Sequence, residues 1–593
     1  MELNHQKEVS DFLEQYSDVF NTMVKQVLSG SDNDSLNSMM DSEKLTELLS
    51  KGVKVDTAEL FSKQMAFMTQ QAELWQNATK ALLGEKVNPD SKVDPVVSEE
   101  RSDRRFKDSE WSENPVFNYL KQSYLLNSNM MQETVNSLHF DDPKAEEQVK
   151  FYTRQYISSV SPTNNALTNP EVCRDILESK GENLIKGLQN FMQDLKQSPA
   201  DALKISQTDV DAFTLGEDLA YTPGDVIYQN DLIQLLQYKA TTKKVNEVPL
   251  LIIPPFINKY YVLDMDEQKS LIKWAVGQGH TVFVISWVNP DKTLSHKGFN
   301  DYMKEGPIAS LDVIEELTKS SKVNVVGYCI GGTLLATTQS YLLAKGDTRI
   351  NSLTFLTTLL DFEEPGEIGV YLSEKMIPFL KKDINEKGIL DGRVLGLAFS
   401  MLRENSLFWS YFVNNYLKGK DPAPFDILYW NSDSSNLPAE TFDFYMTNTY
   451  QENNLIKDGA VEVEGVPIEL SKIETPSYFL ATIADHIVLW QASYKGAKAL
   501  SGPTRFVLAG SGHLAGVINS VDHGKYPHWI NDELSDSAEH WFEGSTKKEG
   551  SWWTDWEEWV VPQSGKKVAA RKQGSKKYAI IEAAPGSYVR KRI

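Results

Sequence analysis

The segment VNVVGYCIGGTLL, residues 323–335, decides the fold of this chain. An apolar run of strand type ends at Tyr328 and a helical pattern begins near Gly331, which places Cys329 on a sharp strand-to-helix turn. Glycines two positions before and after the cysteine, Gly327 and Gly331, remove side chains that would collide with the neighbouring strand and helix. The pattern is typical of a nucleophile elbow, with cysteine where serine is more common. A buried structural cysteine is the alternative.

From about residue 206 onward, short apolar runs alternate with longer segments of helical pattern. The runs include VPLLIIPPF, TVFVISW, SLTFLTTLLDF, PSYFLATIAD and TRFVLAG. This alternation indicates βαβ units and a parallel sheet. Together with the elbow, it predicts a catalytic domain with an α/β-hydrolase fold over residues 206–593. The alternation breaks down between residues 363 and 473, where aromatic and turn residues predominate, so we expect a cap insertion there.

Residues 1–205 predict a mostly helical N-terminal domain that contacts a second subunit, a granule or another partner. One apolar stripe on a predicted helix is formed, at steps of four and three residues, by Phe61, Met65, Met68, Ala72 and Trp75. Packing against a neighbouring helix is the simplest interpretation, but a dimer contact or a partner surface would use the same stripe. The polar stretch at about residues 85–108 carries prolines and many charges and is interpreted as a linker.

A nucleophilic cysteine needs a base, and the base needs a carboxylate that orients it. In this fold both residues follow the nucleophile in the chain, each in a loop after a later strand. Asp485 follows one predicted strand and His513 follows the next, so Cys329, Asp485 and His513 stand in the required order. The other histidines fit less well: His486 is adjacent to Asp485, His280 precedes the nucleophile, and His523, His528 and His540 follow the final strand signal.

The proposed chemistry also needs donors for a developing oxyanion. One candidate is the backbone N–H of Ile330, directly after the nucleophile, and the second is an amide of the loop PPFINKYY, residues 254–261. A cysteine acylated by a thioester forms another thioester, which stays activated for transfer to an alcohol. The cysteine therefore favours acyl transfer over hydrolysis.

Charge and cysteine content limit the partners and the compartment. The formal charge of −22 at pH 7 repels phosphates and predicts no nucleic-acid partner. Only two cysteines, Cys173 and Cys329, are present, which excludes a disulfide framework and fits a reducing compartment. The N-terminus lacks the pattern of a secretory signal, and no apolar run reaches the roughly 18 residues of a membrane-spanning helix. We expect a soluble, cytoplasmic protein without a transmembrane segment.

The C-terminal segment, residues 565–593, has the opposite charge to the chain as a whole. It contains nine Lys or Arg residues against one acid, Glu582. We interpret it as a solvated basic tail, and a contact with an acidic surface or an anionic ligand is the alternative.

Motifs spread from about residue 100 to residue 560 make the chain resemble the polyhydroxyalkanoate synthases, particularly the class I type that works without a second kind of subunit. They include PPFINKYYVLDM, GYCIGG, RENSLFWSYFVNNYLKG, FDILYWNSDSSNLP, ADHIVLW and GSGHLAGVIN. The resemblance implies that Cys329 is the acyl carrier and that Asp485 and His513 complete the catalytic set. Three candidates for the substrate channel are Trp430, thought to lie near the active-site entrance, and Asn258 and Tyr260 of the loop 254–261.

The resemblance further implies an (R)-3-hydroxyacyl-CoA substrate with a short acyl chain, such as 3-hydroxybutyryl-CoA. The product is then a growing polyester stored in cytoplasmic granules, and the enzyme is a homodimer. No metal ion and no cofactor are expected, because coenzyme A is part of the substrate. Two alternatives are a cysteine-dependent thioesterase or hydrolase of the same fold and a catalytically inactive granule-binding protein. An intact set of Cys329, Asp485 and His513 argues against the inactive protein.

Overall fold

The computed structural model describes residues 53–55, 57–82, 95–99, 103–199, 203–371 and 376–593. The chain divides into two compact units, of which the first contains Met1–Gln207 and Leu397–Ala423 and the second contains Thr208–Gly396 and Pro424–Ile593. Residues 1–52 of the predicted N-terminal domain and much of the predicted linker at 85–108 lie outside the described residues.

The first unit is mostly helical, as predicted for the N-terminal part of the chain. Its α-helices span Thr57–Leu82, Glu110–Glu113, Pro115–Asn136, Pro143–Ser159, Pro170–Ser179 and Glu182–Gln197, and two short strands, Val53–Val55 and Leu138–Phe140, pair antiparallel. Three of the helices begin at an Asn-Pro or Asp-Pro step, where Asn114, Asp142 and Asn169 accept a backbone N–H from the first turn. A capping side chain followed by proline explains why these helices begin where they do.

The middle of the predicted cap insertion packs into the first unit. Phe408, Phe412 and Leu417 share a hydrophobic core with Val172 and Leu184 of the N-terminal helices. Two π-helical turns, Asn405–Trp409 and Phe412–Leu417, carry these aromatic side chains. The described parts of the predicted insertion on either side of Leu397–Ala423 belong to the second unit.

Within the described part of the chain, most of the apolar stripe of helix Thr57–Leu82 is exposed, while the Trp75 ring meets Tyr119 of helix Pro115–Asn136 edge-on at 6.1 Å between centroids. What packs against the rest of the stripe stays a prediction. Leu74 is buried, in a core that includes Tyr124 and Leu125 of helix Pro115–Asn136. The helix therefore has an inner apolar face and a second, outer one.

The second unit is built on one sheet of eleven strands. In chain order they are β1 (Gly224–Gln229), β2 (Ile233–Tyr238), β3 (Leu250–Ile253), β4 (Val282–Trp287), β5 (Val323–Tyr328), β6 (Ile350–Leu356), β7 (Ser477–Thr482), β8 (Thr504–Ala509), β9 (His528–Ile530), β10 (Thr546–Lys548) and β11 (Glu582–Ala583). Their spatial order is β10-β9-β8-β7-β6-β5-β3-β4-β2-β1-β11. The strands from β8 to β4 in this order run parallel, and the outer ones are antiparallel.

Both faces of the central strands are buried. In β5, Val323 and Val325 belong to one hydrophobic cluster, whereas Val326 and Tyr328 belong to another. Successive side chains of a strand point to opposite faces, so the two clusters cover the two faces of the sheet. Burial on both faces explains the continuous apolar runs of the sequence. A mixed sheet with a parallel centre and a strand-to-helix turn after its central strand confirms the predicted α/β-hydrolase fold.

The remaining elements of the second unit connect and cover the sheet strands. Its α-helices span Leu271–Gly277, Phe299–Met303, Ala309–Thr318, Ile330–Ala344, Met376–Lys387, Asp426–Asn431, Ala439–Met446, Trp490–Lys498, Ala538–Glu543 and Trp553–Val560, while Gly392–Leu402 runs from the second unit into the first. Within the described ranges, no helix combines the length and the apolar character needed to cross a membrane.

The basic segment 565–593 folds onto the second unit instead of forming a free tail, although most of its basic side chains are exposed to solvent. Lys567–Ala569 pairs antiparallel with Lys244–Asn246, and β11 extends the large sheet beside β1. Val589 is fully buried, and Lys577 forms an ion pair with Glu316. The tail therefore contacts acidic groups, as the alternative interpretation expected, and these groups belong to its own unit.

Candidate active site

Cys329 stands where β5 ends and helix Ile330–Ala344 begins. Its backbone has φ of 53° and ψ of −126°, a conformation that non-glycine residues rarely adopt. The Cys329 N–H donates to the carbonyl oxygen of Leu356 in β6 at 2.8 Å, and the Cys329 carbonyl accepts the N–H of Gly332 at 2.8 Å. A strained residue held on both sides by backbone hydrogen bonds is the geometry expected of a nucleophile elbow.

The glycines of the elbow are required by the backbone that surrounds them. A Cβ at Gly327 would lie 2.5 Å from the Cα of Gly332. A Cβ at Gly331 would overlap the carbonyl oxygens of Ile253 and Pro254, which belong to the end of β3 and the loop after it. The close approach at Gly331 brings the loop 254–261 against the helix that follows the nucleophile.

Asp485 and His513 lie beyond the ends of β7 and β8, at the same edge of the sheet as the cysteine. The Nδ1 atom of His513 is 2.7 Å from Oδ2 of Asp485. The N–H groups of Ile487 and Val488 both donate to Oδ1 of Asp485 at 2.9 Å, which fixes the carboxylate. Burial raises the pKa of Asp485, but the charge and hydrogen bond of His513, together with these two N–H groups, lower it below its usual value. An orienting carboxylate held in this way fixes the plane of the imidazole.

The structure brings the three predicted catalytic side chains together. The Cys329 thiol lies close enough to His513 to act on the charge of its imidazole. Burial disfavours the charged imidazolium, but Asp485 and Cys329 favour it and together raise the pKa of His513 to about 10. Tyr328 helps to hold His513 in place. Its ring stacks on the imidazole at 5.8 Å between centroids, and its hydroxyl donates to the His513 carbonyl at 3.3 Å. The arrangement favours the imidazolium form of His513, which is the form that results when the histidine takes the proton of a cysteine nucleophile.

Ile330 is the first residue of its helix, so its N–H has no acceptor within the helix and is available to an oxyanion. The loop 254–261 is tied down at two points: Trp287 donates through Nε1 to the Pro254 carbonyl at 2.9 Å, and Ser435 donates through its N–H to the Ile257 carbonyl at 2.9 Å. The role of Ile330 and the identity of the second donor stay predictions.

The three candidates for the substrate channel lie in or beside this loop. Tyr260 and Trp430 are buried in one hydrophobic cluster, against which Cys329 also packs. The indole Nε1 of Trp430 donates to the Lys259 carbonyl at 2.6 Å, and Asn258 forms an isolated bridge with Ser434. Tyr260 and Trp430 thus anchor the loop through packing, and a direct contact with substrate stays a prediction.

The sequence did not single out the aromatic residues that face the nucleophile. Tyr445 and Tyr450 are buried, and burial together with the nearby Cys329 raises the pKa of both hydroxyls. Phe362 packs edge-on against both rings, at 6.0 Å and 5.0 Å between centroids. The aromatic content of the predicted cap was the only signal, and it could not show which rings reach Cys329.

A buried ionic cluster next to the loop 254–261 was also missed. Asp433 accepts a hydrogen bond from the Tyr261 hydroxyl at 3.0 Å, and Nε of Arg592 lies 3.8 Å from Oδ1 of Asp433. Lys259 donates to the Lys591 carbonyl at 2.9 Å, and burial lowers the pKa of Lys259 to about 8. The C-terminal residues therefore brace the loop that faces the elbow.

Models of two protein families match the chain. The model described as the poly-beta-hydroxybutyrate polymerase (PhaC) N-terminus matches residues 102–275, and the model described as the alpha/beta hydrolase fold matches residues 249–519. A poly(3-hydroxyalkanoate) polymerase subunit PhaC of Rhizobium meliloti is 43% identical over 520 residues, which cover 88% of this chain and 84% of that protein. The chain belongs to the poly(3-hydroxyalkanoate) polymerase family. The resemblance predicted from the motifs is confirmed.

Other members of the polymerase family and more distant structures are also similar. The poly(3-hydroxyalkanoate) polymerase subunit PhaC of Cupriavidus necator is 39% identical over 545 residues, covering 91% of this chain and 90% of that protein. Among solved structures, alpha/beta hydrolase domain-containing protein 10 from mouse aligns over 49% of this chain and 90% of its own, with 14% identity and a TM-score of 0.28.

Proposed function

We propose that this chain polymerises (R)-3-hydroxyacyl-CoA into a polyester with release of coenzyme A, through an acyl-cysteine intermediate on Cys329. The observation that carries the proposal is the pairing of His513 with Asp485 at 2.7 Å beside Cys329, on a nucleophile elbow, in a member of the polymerase family. A thiolate beside an oriented imidazolium suits attack on a thioester.

In the first half-reaction, His513 accepts the proton of Cys329 and the thiolate attacks the carbonyl carbon of the CoA thioester. The amide of Ile330 and an amide of the loop 254–261 stabilise the oxyanion that forms. Collapse of this intermediate breaks the bond to the CoA sulfur, which takes the proton from His513 and leaves as the thiol. The acyl group remains on Cys329 as a thioester of similar free energy.

In the second half-reaction, the hydroxyl of an incoming unit or of the growing chain attacks the acyl-cysteine. A histidine or aspartate base, His513 or Asp485, accepts the hydroxyl proton as the ester bond forms. The sulfur of Cys329 leaves and is reprotonated, so each cycle converts one thioester and one hydroxyl into one ester and one thiol. Polymer growth needs water to be kept from the acyl-cysteine, because water competes with the hydroxyl.

The proposal that the acyl group is short and apolar is supported by buried aromatic side chains near the nucleophile. Tyr445 and Tyr450 lie near enough to the nucleophile for Cys329 to affect their hydroxyls, and Phe362 packs against both rings, so this side of the site offers an acyl chain an apolar environment. A unit of the size of 3-hydroxybutyryl suits this enclosed region. We further propose a cytoplasmic homodimer that stays associated with the granules of its product, as the resemblance implies.

The test is incubation of the full chain with (R)-3-hydroxybutyryl-CoA while CoA release and turbidity are followed together. Wild type is expected to give turbid polymer with stoichiometric CoA release, and Cys329→Ala is expected to give neither. Cys173→Ala is the matched control, because it removes the only other thiol, and it should behave like wild type. Release of CoA with free 3-hydroxybutyrate and no turbidity would instead support a thioesterase. Unchanged CoA release by Cys329→Ala would overturn both.

A further inference from the structure

Among the residues that the structure describes, helix Thr57–Leu82 of the first unit presents a largely exposed apolar stripe, in which the Trp75 ring contacts Tyr119 of the same unit edge-on at 6.1 Å. The exposed fractions are 69% for Phe61, 50% for Met65, 58% for Met68 and 63% for Trp75. The inner face of the same helix is already covered, since Leu74 is buried in the core of the unit. Large apolar side chains gathered on one exposed face mark an interaction surface.

The stripe has the spacing of a coiled-coil seam. In a heptad written abcdefg, Ala58, Met65 and Ala72 occupy a positions, and Phe61, Met68 and Trp75 occupy d positions. A stripe limited to a and d is narrower than the apolar face of a helix that lies on a membrane or another broad surface. The width of this stripe suits coverage by one second helix.

The positions that flank the seam carry no charge. The e and g positions are Thr57, Ser62, Gln64, Thr69, Gln71, Gln76 and Ala78. The four charged residues of the helix, Glu59, Lys63, Glu73 and Lys80, all occupy b or f positions. An identical helix can therefore approach without like-charge repulsion, whereas a charged partner finds no complementary charge beside the seam.

Side-chain sizes along the seam favour one direction of pairing. In an antiparallel pair, an a residue of one helix meets a d residue of the other. Ala58 then meets Trp75 of the second copy, Phe61 meets Ala72, and Met65 meets Met68, so each ring is placed against an alanine. Parallel pairing would place Trp75 against Trp75 and each seam alanine against the same alanine of the second copy. The alanine pairs would leave unfilled space, which close packing disfavours.

We propose that helix Thr57–Leu82 pairs antiparallel with the same helix of a second copy of this chain, about a two-fold axis between Ala66 and Phe67. Such a contact is isologous and closes as a dimer. It supplies a surface for the homodimer proposed above, and it does not depend on the chemistry of Cys329. Its test measures mass rather than turnover, so the two proposals fail separately.

Sedimentation of the full chain over a concentration series tests the pairing. Met65→Lys and Met68→Glu each place one charge in the seam against an apolar residue, and each is expected to raise the dimer dissociation constant about tenfold or more. In the double variant, each new lysine faces a new glutamate of the second copy. The dissociation constant is then expected to return to within about threefold of wild type.

Glu73→Gln is the matched control, because Glu73 is exposed on the same helix at a b position and its loss should leave the dimer unchanged. Single variants that sediment like wild type would overturn the proposal. A double variant weaker than either single variant would overturn antiparallel pairing, since parallel helices bring like charges together. A wild type that is monomeric at every concentration, with single variants that lose adsorption to polyester particles, would assign the stripe to the polymer surface instead.

Discussion

Cys329 and Cys173 are both half-buried, yet their backbone conformations and their neighbours differ. Cys329 has a φ of 53° and lies beside His513. Cys173 lies within helix Pro170–Ser179, where its thiol donates to the Ala166 carbonyl at 3.4 Å and burial raises its pKa. Exposure alone therefore does not distinguish a reactive cysteine from a structural one; backbone conformation and a neighbouring imidazole do.

The largest expected effect comes from removing the imidazole. In His513→Gln, Cys329 loses its base, and CoA release should fall by about 10⁴-fold. Alkylation of Cys329 by iodoacetamide at pH 7 should slow as well, while that of Cys173 stays unchanged, as mass spectrometry of the two cysteine peptides can measure. An unaltered rate of alkylation at Cys329 would show that His513 does not activate the sulfur.

The next effect concerns the backbone on which each cysteine sits. Gly331→Ala places a Cβ against the carbonyl oxygens of Ile253 and Pro254, so the elbow must shift, and CoA release should fall by about 100-fold with a lower Tm. Gly181→Ala, near Cys173, meets nothing within 4 Å. It should cost only the roughly 1 kcal/mol of a left-handed alanine and leave activity unchanged. If Gly331→Ala and Gly181→Ala lose activity equally, the backbone geometry at the elbow is not what activity depends on.

A smaller effect is expected from the C-terminal residues that brace the loop beside Cys329. Arg592→Gln removes the cation next to the buried carboxylate of Asp433, so the loop 254–261 should loosen and CoA release should fall about tenfold. Lys591→Gln is the matched control, because its side chain is exposed and pairs only at the surface with Asp291. If the two variants behave alike, the cluster does not position the loop.

The smallest effect is on stability as a function of pH. The pKa of His513 is raised from 6.5 to about 10, so the folded chain keeps a proton that the unfolded chain releases. The resulting stabilisation is complete below about pH 6.5 and is lost as the pH rises toward 10. Wild type should therefore lose a few degrees more of Tm across this window than His513→Gln, and Cys173→Ala should follow wild type. Parallel pH profiles of wild type and His513→Gln would contradict the raised pKa.

Much of the catalytic centre was predictable because its requirements are local. A nucleophile on a tight turn needs glycine at fixed distances, and Gly327 and Gly331 carry that requirement in the sequence. Parallel strands end at one edge of a sheet, so Asp485 and His513, each just past a predicted strand, were expected to meet Cys329. The structure places the three together.

Long-range packing was not predictable in the same way. The stripe of Phe61, Met68 and Trp75 has the period of a packed helix, but period does not tell whether another element of the chain covers it. The basic composition of 565–593 suggested a solvated tail, whereas the backbone pairing of Lys567–Ala569 with Lys244–Asn246 and the burial of Val589 depend on segments far away in the chain.

The amino-acid sequence alone determined the fold class, the family and the order of the catalytic side chains, because these depend on short motifs and on the alternation of apolar runs. Only the tertiary structure decided which aromatic rings lie near Cys329, which side chains hold the loop 254–261 in place, and which apolar face of helix Thr57–Leu82 stays exposed. Tyr445, Tyr450 and Arg592 lie far from Cys329 in the chain, and only folding brings these residues to the edge of the sheet where the active site lies.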